Sequence, residues 1–514
     1  MRPVVETRWG RVEGIEQDGI QVFRGIPYAR SPEGAWRLRP PAPPEPWMGV
    51  RPADQFGASA PQNNSMVGAL LGLPESEASE DCLSINVWTP AARRSGATRP
   101  VLVWLHGGGF TFGAGSQPMY DGAALARRGD VVVITFNYRL GALGYLALPA
   151  LAEEDGGVAG NFGLLDQIAA LEWVRDHAEA FGGDPGQVTV FGESAGGMSV
   201  GTLLGTPAAH GLFQRAIAQS GAASNVATPE QGERVAHALL KELALSVTDL
   251  RGLRDVPVAK VLEAQGRILG PLVAASRGLP MQPVHDGRVL PRPPLEAIAE
   301  GAAAGVSLLV GTNRDEWRLF GLADAKLKTL DEAGLLRRVE RVVPGRDGSG
   351  RAYAERAVEI YRGAREGRAD ASPAALWIAI ESDRVFRVPA ERLAEAQRPH
   401  APAVHEYLFT WESPALGGAL GACHALEVPF VFGTAVTLPA LAAFVGSGPE
   451  AVALSERMQD AWLAFARQGS PVHAGLPDWP ARGVAGRPTQ ILGRTYEIAD
   501  APGDAELRFW DGLL

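Results

Sequence analysis

Apolar runs separated by amphipathic stretches dominate the chain from residue 101 onward. Residues 101–105 and 131–136 are almost entirely apolar, which predicts strands covered on both faces of a parallel sheet. Between residues 164 and 178 apolar side chains recur at steps of three and four, which predicts an amphipathic helix. Further strands are predicted at 187–191, 215–219, 307–311 and 404–410. Strands that alternate with helices indicate right-handed parallel crossovers and therefore an α/β architecture.

Composition and charge narrow the classes of protein that this pattern can represent. The chain has 514 residues, of which 46% are apolar and 21% charged, a mix typical of a soluble globular protein. Its net charge of −10 and the lack of a lysine- or arginine-rich run argue against nucleic acid as a partner. No apolar run reaches the roughly 18 residues of a membrane-spanning helix, so no membrane contact is expected.

The chain contains two cysteines, Cys82 and Cys423. They are too far apart for a Cys-x-x-Cys motif, and two cysteines alone predict no metal site. The N-terminus carries charges where a secretory signal would be apolar. The expectation is therefore a cytoplasmic protein without disulfides.

A serine flanked by glycines follows the strand predicted at 187–191. The sequence is Gly192-Glu193-Ser194-Ala195-Gly196, a G-x-S-x-G motif. Such a serine lies on a tight strand-to-helix turn, where only glycines at −2 and +2 avoid collision with the flanking elements. The next helix then directs backbone N–H groups at developing negative charge. Ser194 is therefore predicted to be a nucleophile.

A glycine run follows the strand predicted at 101–105. The sequence is His106-Gly107-Gly108-Gly109-Phe110, and each glycine would cost up to about 1 kcal/mol in a regular element. Backbone without side chains allows a substrate carbonyl to approach N–H donors closely. Together with the Ser194 turn, this run predicts the two halves of an oxyanion hole.

A general base and an orienting acid must complete such a site. The chain order of α/β-hydrolases places the histidine late in the chain, which leaves His400, His405, His424 and His473 as candidates. His424 is favoured because it lies in a loop of small residues after a predicted strand. For the acid, the strand at 307–311 is followed by two adjacent carboxylates, and the residue pattern leaves both open: Asp315 and Glu316.

Taken together, these motifs resemble the type-B carboxylesterase family, which includes cholinesterases and bacterial p-nitrobenzyl esterases. The resemblance covers nearly the whole chain. It rests on residues 23–29, 36–38, 80–88, the glycine run, 161–167, the serine motif, 219–221, 313–316 and 424–430. It implies a nucleophile at Ser194, a base at His424 and, because the family uses glutamate, an acid at Glu316.

The same resemblance implies further roles near the triad. The oxyanion donors would be the backbone N–H groups of Gly108, Gly109 and Ala195. Glu193 and Ser220 match supporting residues beside the triad, and Arg37 and Glu80 match a buried ion pair of the family.

Three departures from the family pattern bear on function. Ala60 stands where secreted members carry a cysteine, so Cys82 is expected to be unpaired, as in a cytoplasmic bacterial enzyme. Residues 63–80 show no periodicity and predict a long loop, and no tryptophan lies between 60 and 82, so choline esters are not implied as substrates. Trp317 follows the acid where many relatives carry glycine.

The resemblance implies one α/β-hydrolase domain over residues 1–514, with a large, mostly parallel sheet flanked by helices. Helical insertions at roughly 222–305 and 317–400 would form a gorge over the site. The implied activity is hydrolysis of short- to medium-chain carboxylic esters through an acyl-enzyme, with a small-molecule ester as partner and no metal or cofactor. A monomer or weak homo-oligomer is expected.

Three alternatives remain at this point. The same acyl-enzyme chemistry serves amides and carbamates. A lipase is a second alternative, although no amphipathic lid is evident. A non-catalytic adhesion or scaffold protein is the third, but such members typically lose the nucleophile that this chain retains.

Overall fold

A large mixed sheet runs through the centre of the computed structural model. The structure describes residues 2–63, 77–91, 98–154, 157–276, 278–343, 349–366, 370–483 and 486–513. Within these ranges the sheet has eleven strands in the order β14-β13-β12-β11-β10-β9-β7-β8-β6-β4-β3, and a second sheet has the order β1-β2-β5. The strands are β1 Val4–Thr7, β2 Gly10–Glu13, β3 Ile15–Gln17, β4 Ile20–Pro27, β5 Val50–Pro52, β6 Ser84–Pro90, β7 Arg99–Leu105, β8 Val132–Phe136, β9 Gly183–Glu193, β10 Arg215–Gln219, β11 Ser307–Asn313, β12 Val404–Phe409, β13 Pro488–Leu492 and β14 Ile498–Asp500.

The middle of the large sheet is parallel and its two edges are antiparallel. All neighbouring pairs from β8 through β7, β9, β10, β11 and β12 to β13 are parallel. At one edge β6, β4 and β3 run antiparallel, and at the other β14 does. Because the carboxyl ends of parallel strands meet at one edge of the sheet, residues that follow β7, β9 and β11 come together there.

Helices connect these strands and cover the sheet. The α-helices are Ala123–Gly129, Gly141–Tyr145, Pro149–Glu154, Phe162–His177, Ala195–Leu204, Pro229–Glu242, Leu250–Asp255, Val258–Ser276, Pro294–Ala299, Trp317–Gly321, Glu332–Val342, Gly350–Gly363, Pro373–Ser382, Val388–Gln397, Val428–Phe432, Thr434–Thr437, Ala442–Val445, Pro449–Gln468 and Asp504–Phe509. A π-helical turn covers Asp383–Arg387. Short 3₁₀ turns are Gly34–Trp36, Pro118–Tyr120, Ala178–Phe181, Pro207–Ala209, Leu327–Thr329, Ala415–Gly418 and Pro439–Leu441.

The core divides between the two faces of the sheet. Along β7, Val101, Val103 and Leu105 belong to one apolar cluster, whereas Leu102 and Trp104 belong to another. This alternation follows from the two-residue period of a strand, and it explains why β7 is apolar at nearly every position. A third cluster joins the helices between β11 and β12 to the C-terminal residues Leu507 and Trp510.

The strands predicted from apolar runs are confirmed, with small shifts in their ends. The strand predicted at 187–191 extends over Gly183–Glu193, and the predicted helix spans Phe162–His177. Most of the loop predicted at 63–80 lies outside the described residues. The proposed single domain with insertions at 222–305 and 317–400 stays a prediction, although both stretches are mainly helical where they are described. No helix in the described ranges is long and apolar enough to cross a membrane.

Candidate active site

Ser194 lies on a sharp turn between β9 and the helix Ala195–Leu204. Its backbone has φ 56° and ψ −126°, a left-handed conformation that costs a residue with a side chain about 1–3 kcal/mol. The turn is fixed from both sides, because the N–H of Ser194 donates to the Gln219 carbonyl of β10 at 3.0 Å and its own carbonyl accepts from Met198. The serine is therefore held in a strained conformation by the sheet and the helix.

The two glycines around Ser194 are required by close backbone contacts. A Cβ on Gly192 would lie 2.6 Å from the carbonyl carbon of Gly196. A Cβ on Gly196 would overlap the carbonyl oxygen of Leu105 at the end of β7. Both positions thus exclude any side chain, as expected for a serine on a turn of this kind.

The glycine run folds back beside Ser194. Gly108 and Gly109 have φ +112° and +57°, and a Cβ on Gly107 would lie 3.1 Å from the Ser194 Cβ. The carbonyl of Gly108 accepts from the N–H groups of Thr111 and Phe112, at 3.0 and 3.1 Å. No acceptor in the described part of the chain is bonded to the N–H groups of Gly108, Gly109 or Ala195. These donors are therefore available to an external oxygen.

His424 forms a buried hydrogen bond with Glu316. The distance from His424 Nδ1 to Glu316 Oε2 is 2.6 Å, and both side chains are almost fully buried. The second carboxylate oxygen, Oε1, accepts the backbone N–H of Asn313 at 2.8 Å. Because Nδ1 is bonded to a carboxylate, the proton is held there and Nε2 is left to accept one.

Asp315 is turned away from the histidine. Its carboxylate accepts from Arg314 at 2.8 Å and from the backbone N–H of Ala422 at 3.0 Å, and it lies near Arg318. Of the two adjacent carboxylates left open by the residue pattern, the one that meets the imidazole is Glu316.

The other late histidines have different surroundings. His400 Nε2 is 2.9 Å from the carbonyl oxygen of Ala299. His405 is buried in β12 and packs edge-on against Trp479, and burial lowers its pKa to about 4. His473 contacts the backbone N–H of Gly475. In the structure, only His424 among the four candidates contacts Glu316.

Glu193 faces the other side of the His424 ring. Its Oε1 is 3.1 Å from His424 Nε2, although the two atoms form no directed hydrogen bond. Burial disfavours the charged imidazolium, but Glu193 and then Glu316 outweigh it and raise the pKa of His424 to about 9. Burial raises the pKa of Glu193 to about 8, against the attraction of His424. The imidazole is thus surrounded by carboxylates that favour its protonated form.

A third buried carboxylate, Glu427, was not predicted from the sequence. Its oxygens accept from Gln219 at 3.0 Å and from the Asn313 side chain at 2.6 Å. Gln219 in turn accepts from the Trp462 indole at 3.0 Å. Burial and the nearby Glu316 raise the pKa of Glu427. The signal was available, because Gln219 and Glu427 both lie in segments that carried the family resemblance.

Two phenylalanines that sequence reasoning also missed flank the imidazole. The ring centroids of Phe320 and Phe386 lie 5.0 and 4.7 Å from that of His424. Trp317 packs on Phe320 at 4.9 Å. No motif marked Phe386, which comes from the π-helical turn and meets His424 only through the fold.

The remaining predicted residues are buried or nearly buried. Ser220 is fully buried with φ 46°, and its hydroxyl has no hydrogen-bond partner among the described residues. Arg37 and Glu80 form a buried two-bond pair, with Nε–Oε2 at 2.7 Å. The Arg37 guanidinium also donates to the carbonyl of Val256. Cys82 and Cys423 are buried and unpaired.

The eleven-stranded sheet and the strand–serine–helix turn are those of the α/β-hydrolase class. Within that class the chain belongs to the carboxylesterase family, because the profile of that family matches residues 1–510. It is therefore a carboxylic-ester hydrolase.

Known relatives match this chain over nearly its full length and nearly all of their own. The para-nitrobenzyl esterase of Bacillus subtilis (strain 168) is 40% identical over 97% of this chain and 96% of its own. The phenmedipham hydrolase of Pseudarthrobacter oxydans is 36% identical over 93% and 92%. Among solved structures, a Geobacillus stearothermophilus carboxylesterase matches with a TM-score of 0.86 at 41% identity, over 99% of this chain and 100% of its own.

Proposed function

We propose that Ser194, His424 and Glu316 form the catalytic triad of this esterase. The observation that carries the proposal is the buried 2.6 Å bond between His424 Nδ1 and Glu316. It leaves Nε2 facing Glu193, the residue next to Ser194. Nε2, the nitrogen that carries no proton when the imidazole is neutral, is thus directed toward the turn that presents the serine hydroxyl.

The proposed reaction has two steps. Ser194 Oγ attacks the ester carbonyl as its proton passes to His424 Nε2, and the alcohol leaves with that proton. Water, deprotonated by His424, then attacks the acyl-enzyme and releases the acid and the free serine. Glu316 keeps Nδ1 protonated and stabilises the imidazolium, so it needs no proton of its own.

The oxyanion of each tetrahedral intermediate would be bound by Gly108, Gly109 and Ala195. Support comes from their N–H groups, which have no acceptor within the described ranges, and from the glycine run passing beside Ser194. Backbone donors fixed before the reaction stabilise developing charge without reorganising.

Neutral esters with short to medium acyl chains are the proposed substrates. The apolar rings of Phe320 and Phe386 lie beside His424, and Trp317 packs on Phe320. Apolar surface discriminates gradually, at about 0.8 kcal/mol per CH₂. The relative named para-nitrobenzyl esterase points the same way.

We further propose a cytoplasmic, bacterial, monomeric or weakly associating enzyme, because two unpaired thiols suit a reducing compartment.

The test combines labelling and kinetics. An organophosphate should give one adduct, on Ser194, and Ser194→Ala should retain the fold and lose activity. Values of kcat/KM for p-nitrophenyl esters from about two to sixteen carbons should peak at the short to medium members. Matched amide and carbamate substrates should be slower. A label elsewhere, a maximum at the longest chain or faster amide cleavage would contradict the respective part of the proposal.

A further inference from the structure

The side-chain amide of Gln62 holds the backbone of Gly113, four residues beyond Gly109. The N–H of Gly113 donates to Gln62 Oε1 at 2.8 Å, and Gln62 Nε2 donates to the Gly113 carbonyl at 3.0 Å. The same nitrogen donates to the Ala60 carbonyl at 2.9 Å. The amide thus pairs with both backbone groups of a single residue.

Gly113 in turn packs against the start of the glycine run. A Cβ there would lie 2.5 Å from the Gly107 carbonyl oxygen and 2.6 Å from His106 Nδ1. A Cβ on Gly108 would overlap the carbonyl of Phe112, the residue before Gly113. Residues 107–109 therefore rest on residues 112–113, so a shift of Gly113 would be transmitted to the proposed oxyanion donors.

Gln62 is itself fixed on both sides along the chain. Before it, Ser59 donates its N–H to Glu77 at 2.8 Å and accepts from Ser79 at 3.0 Å. After it, the Asn63 side chain donates to the Leu262 carbonyl and accepts from Gln265, each at 3.0 Å. Gln62 is thus attached to a well-anchored segment, which allows it to constrain Gly113 rather than follow it.

A second amide ties the same two segments together. Asn137, which follows β8, donates to the Ala58 carbonyl at 2.9 Å and accepts the N–H of Gly115 at 2.8 Å. Residues 58–62 and 113–115 are therefore joined at two points. Of the two joints, the one at Gln62 lies nearer the glycine run.

We infer that Gln62 is a positioning residue for the oxyanion hole, which acts through Gly113 on the N–H groups of Gly108 and Gly109. The inference rests on the proposed function, because it assumes that these N–H groups bind the oxyanion. Loss of the Gln62 contacts should mainly destabilise the transition state, because a displaced donor weakens binding of the oxyanion more than binding of the uncharged ester.

Two variants of Gln62 and one control test the inference. Gln62→Met keeps the length of the side chain and removes both hydrogen bonds to Gly113. Gln62→Glu restores both bonds only when the carboxyl is protonated, because the ionised form cannot donate to the Gly113 carbonyl. Gln397→Met is the control, since Gln397 likewise donates to two loop carbonyls, of Ala303 and Val306, before the start of β11 and away from its catalytic end.

The expected result is a loss in kcat with little change in KM. Gln62→Met should lower kcat/KM for p-nitrophenyl butyrate by about tenfold or more, short of the roughly 10²–10³-fold loss of a whole oxyanion donor. A trifluoromethyl ketone, which binds serine as a hemiketal oxyanion, should lose affinity by the same factor. For Gln62→Glu, the ratio of kcat/KM to wild type should rise as pH falls from about 8 to about 5.5. Gln397→Met should lower the melting temperature and keep kcat/KM.

The outcomes separate this inference from the proposed function. Failure of the wild-type enzyme to be labelled at Ser194 would reject the triad. An active, labelled wild type with an unchanged kcat/KM in Gln62→Met would overturn the inference. If Gln62→Met does not fold, a pH-independent ratio for Gln62→Glu overturns it instead.

Discussion

At the scale of single residues, the site depends on which carboxylate touches which nitrogen of His424. Glu316 bonds to Nδ1 and Glu193 faces Nε2, while Glu427 lies one hydrogen bond further away, through Asn313. Three buried carboxylates around one imidazole cannot all ionise at little cost. The carboxylate on Nδ1, Glu316, bonds to the imidazole at 2.6 Å and also accepts the backbone N–H of Asn313.

Replacing Glu316, the proposed acid, should therefore lower activity far more than replacing its neighbour Asp315. Glu316→Gln keeps the shape but no longer fixes the proton on Nδ1, so we expect kcat to fall by about 10³-fold or more, as for other triad carboxylates. Asp315→Asn weakens contacts with Arg314 and Arg318 and should cost much less activity. Steady-state kinetics of the two purified variants decide the matter. Equal losses, or a larger loss at Asp315, would contradict the assignment of the acid.

Removing the charge of Glu193 should shift the pH dependence of the enzyme. The base must be neutral to accept a proton, and Glu193, Glu316 and Glu427 all raise the pKa of His424. Glu193→Gln removes one of them, so the pKa falls and the acid limb of the kcat/KM profile moves to lower pH, by roughly one unit or more. Glu45→Gln, whose carboxylate is exposed and pairs with Arg30, should leave the profile unmoved. A limb that stays in place would show that Glu193 does not act on His424.

At the scale of elements, the site exists because three strand ends meet. The glycine run follows β7, Ser194 follows β9 and Glu316 follows β11. Parallel pairing brings these ends to one edge. The contact between the helix Ala195–Leu204 and β7 is so close that Gly196 fits only without a side chain.

That contact predicts the effect of adding one methyl group. Gly196→Ala places a Cβ against the Leu105 carbonyl, where the backbone cannot yield cheaply, so the free energy of unfolding should fall by about 3 kcal/mol or more. Gly270→Ala is the matched control in the helix Val258–Ser276: beyond the neighbouring residues and backbone of its own helix, no atom of the described residues lies within 4 Å of its Cβ position. Alanine there favours a helix by about 1 kcal/mol. Urea denaturation of both variants checks the prediction. A Gly196 variant as stable as wild type would mean that the helix can move away from β7.

The burial of each strand explains which elements could be predicted from the sequence. Strands such as β7 and β8 are buried on both faces, so they appear as apolar runs. Strand β6 is equally buried but contains Asn86, whose amide accepts from Gly25 and donates to Thr135, and such satisfied polar residues interrupt the run. Strands β1, β2 and β3 are short and partly exposed. Sequence motifs likewise indicated Ser194 and the glycine run. No motif indicates Phe386, because its contact with His424 depends on the topology of the chain.

At the scale of the whole molecule, the C-terminus is connected to the site through one chain of buried contacts. Trp510 is fully buried, and its indole donates to the Tyr361 hydroxyl at 2.9 Å. That hydroxyl donates to Asp383 at 2.7 Å. Asp383 begins the π-helical turn that carries Phe386 to the His424 ring. The third apolar cluster thus supports one wall of the proposed catalytic centre from outside the sheet.

Removing Trp510 should therefore affect both stability and catalysis. Trp510→Ala empties a buried site, which costs about 3–5 kcal/mol, and it frees the turn that positions Phe386, so kcat/KM should fall even where the variant is folded. Trp510→Phe retains most of the packing and loses only the bond to Tyr361, so it should lie between Trp510→Ala and wild type. Trp36→Ala, which removes a partly exposed indole under Arg30, serves as the control and should change neither property strongly. Thermal unfolding and kcat/KM measured well below each melting temperature give the comparison. A folded Trp510→Ala variant with wild-type kcat/KM would show that the C-terminus stabilises the molecule without positioning the site.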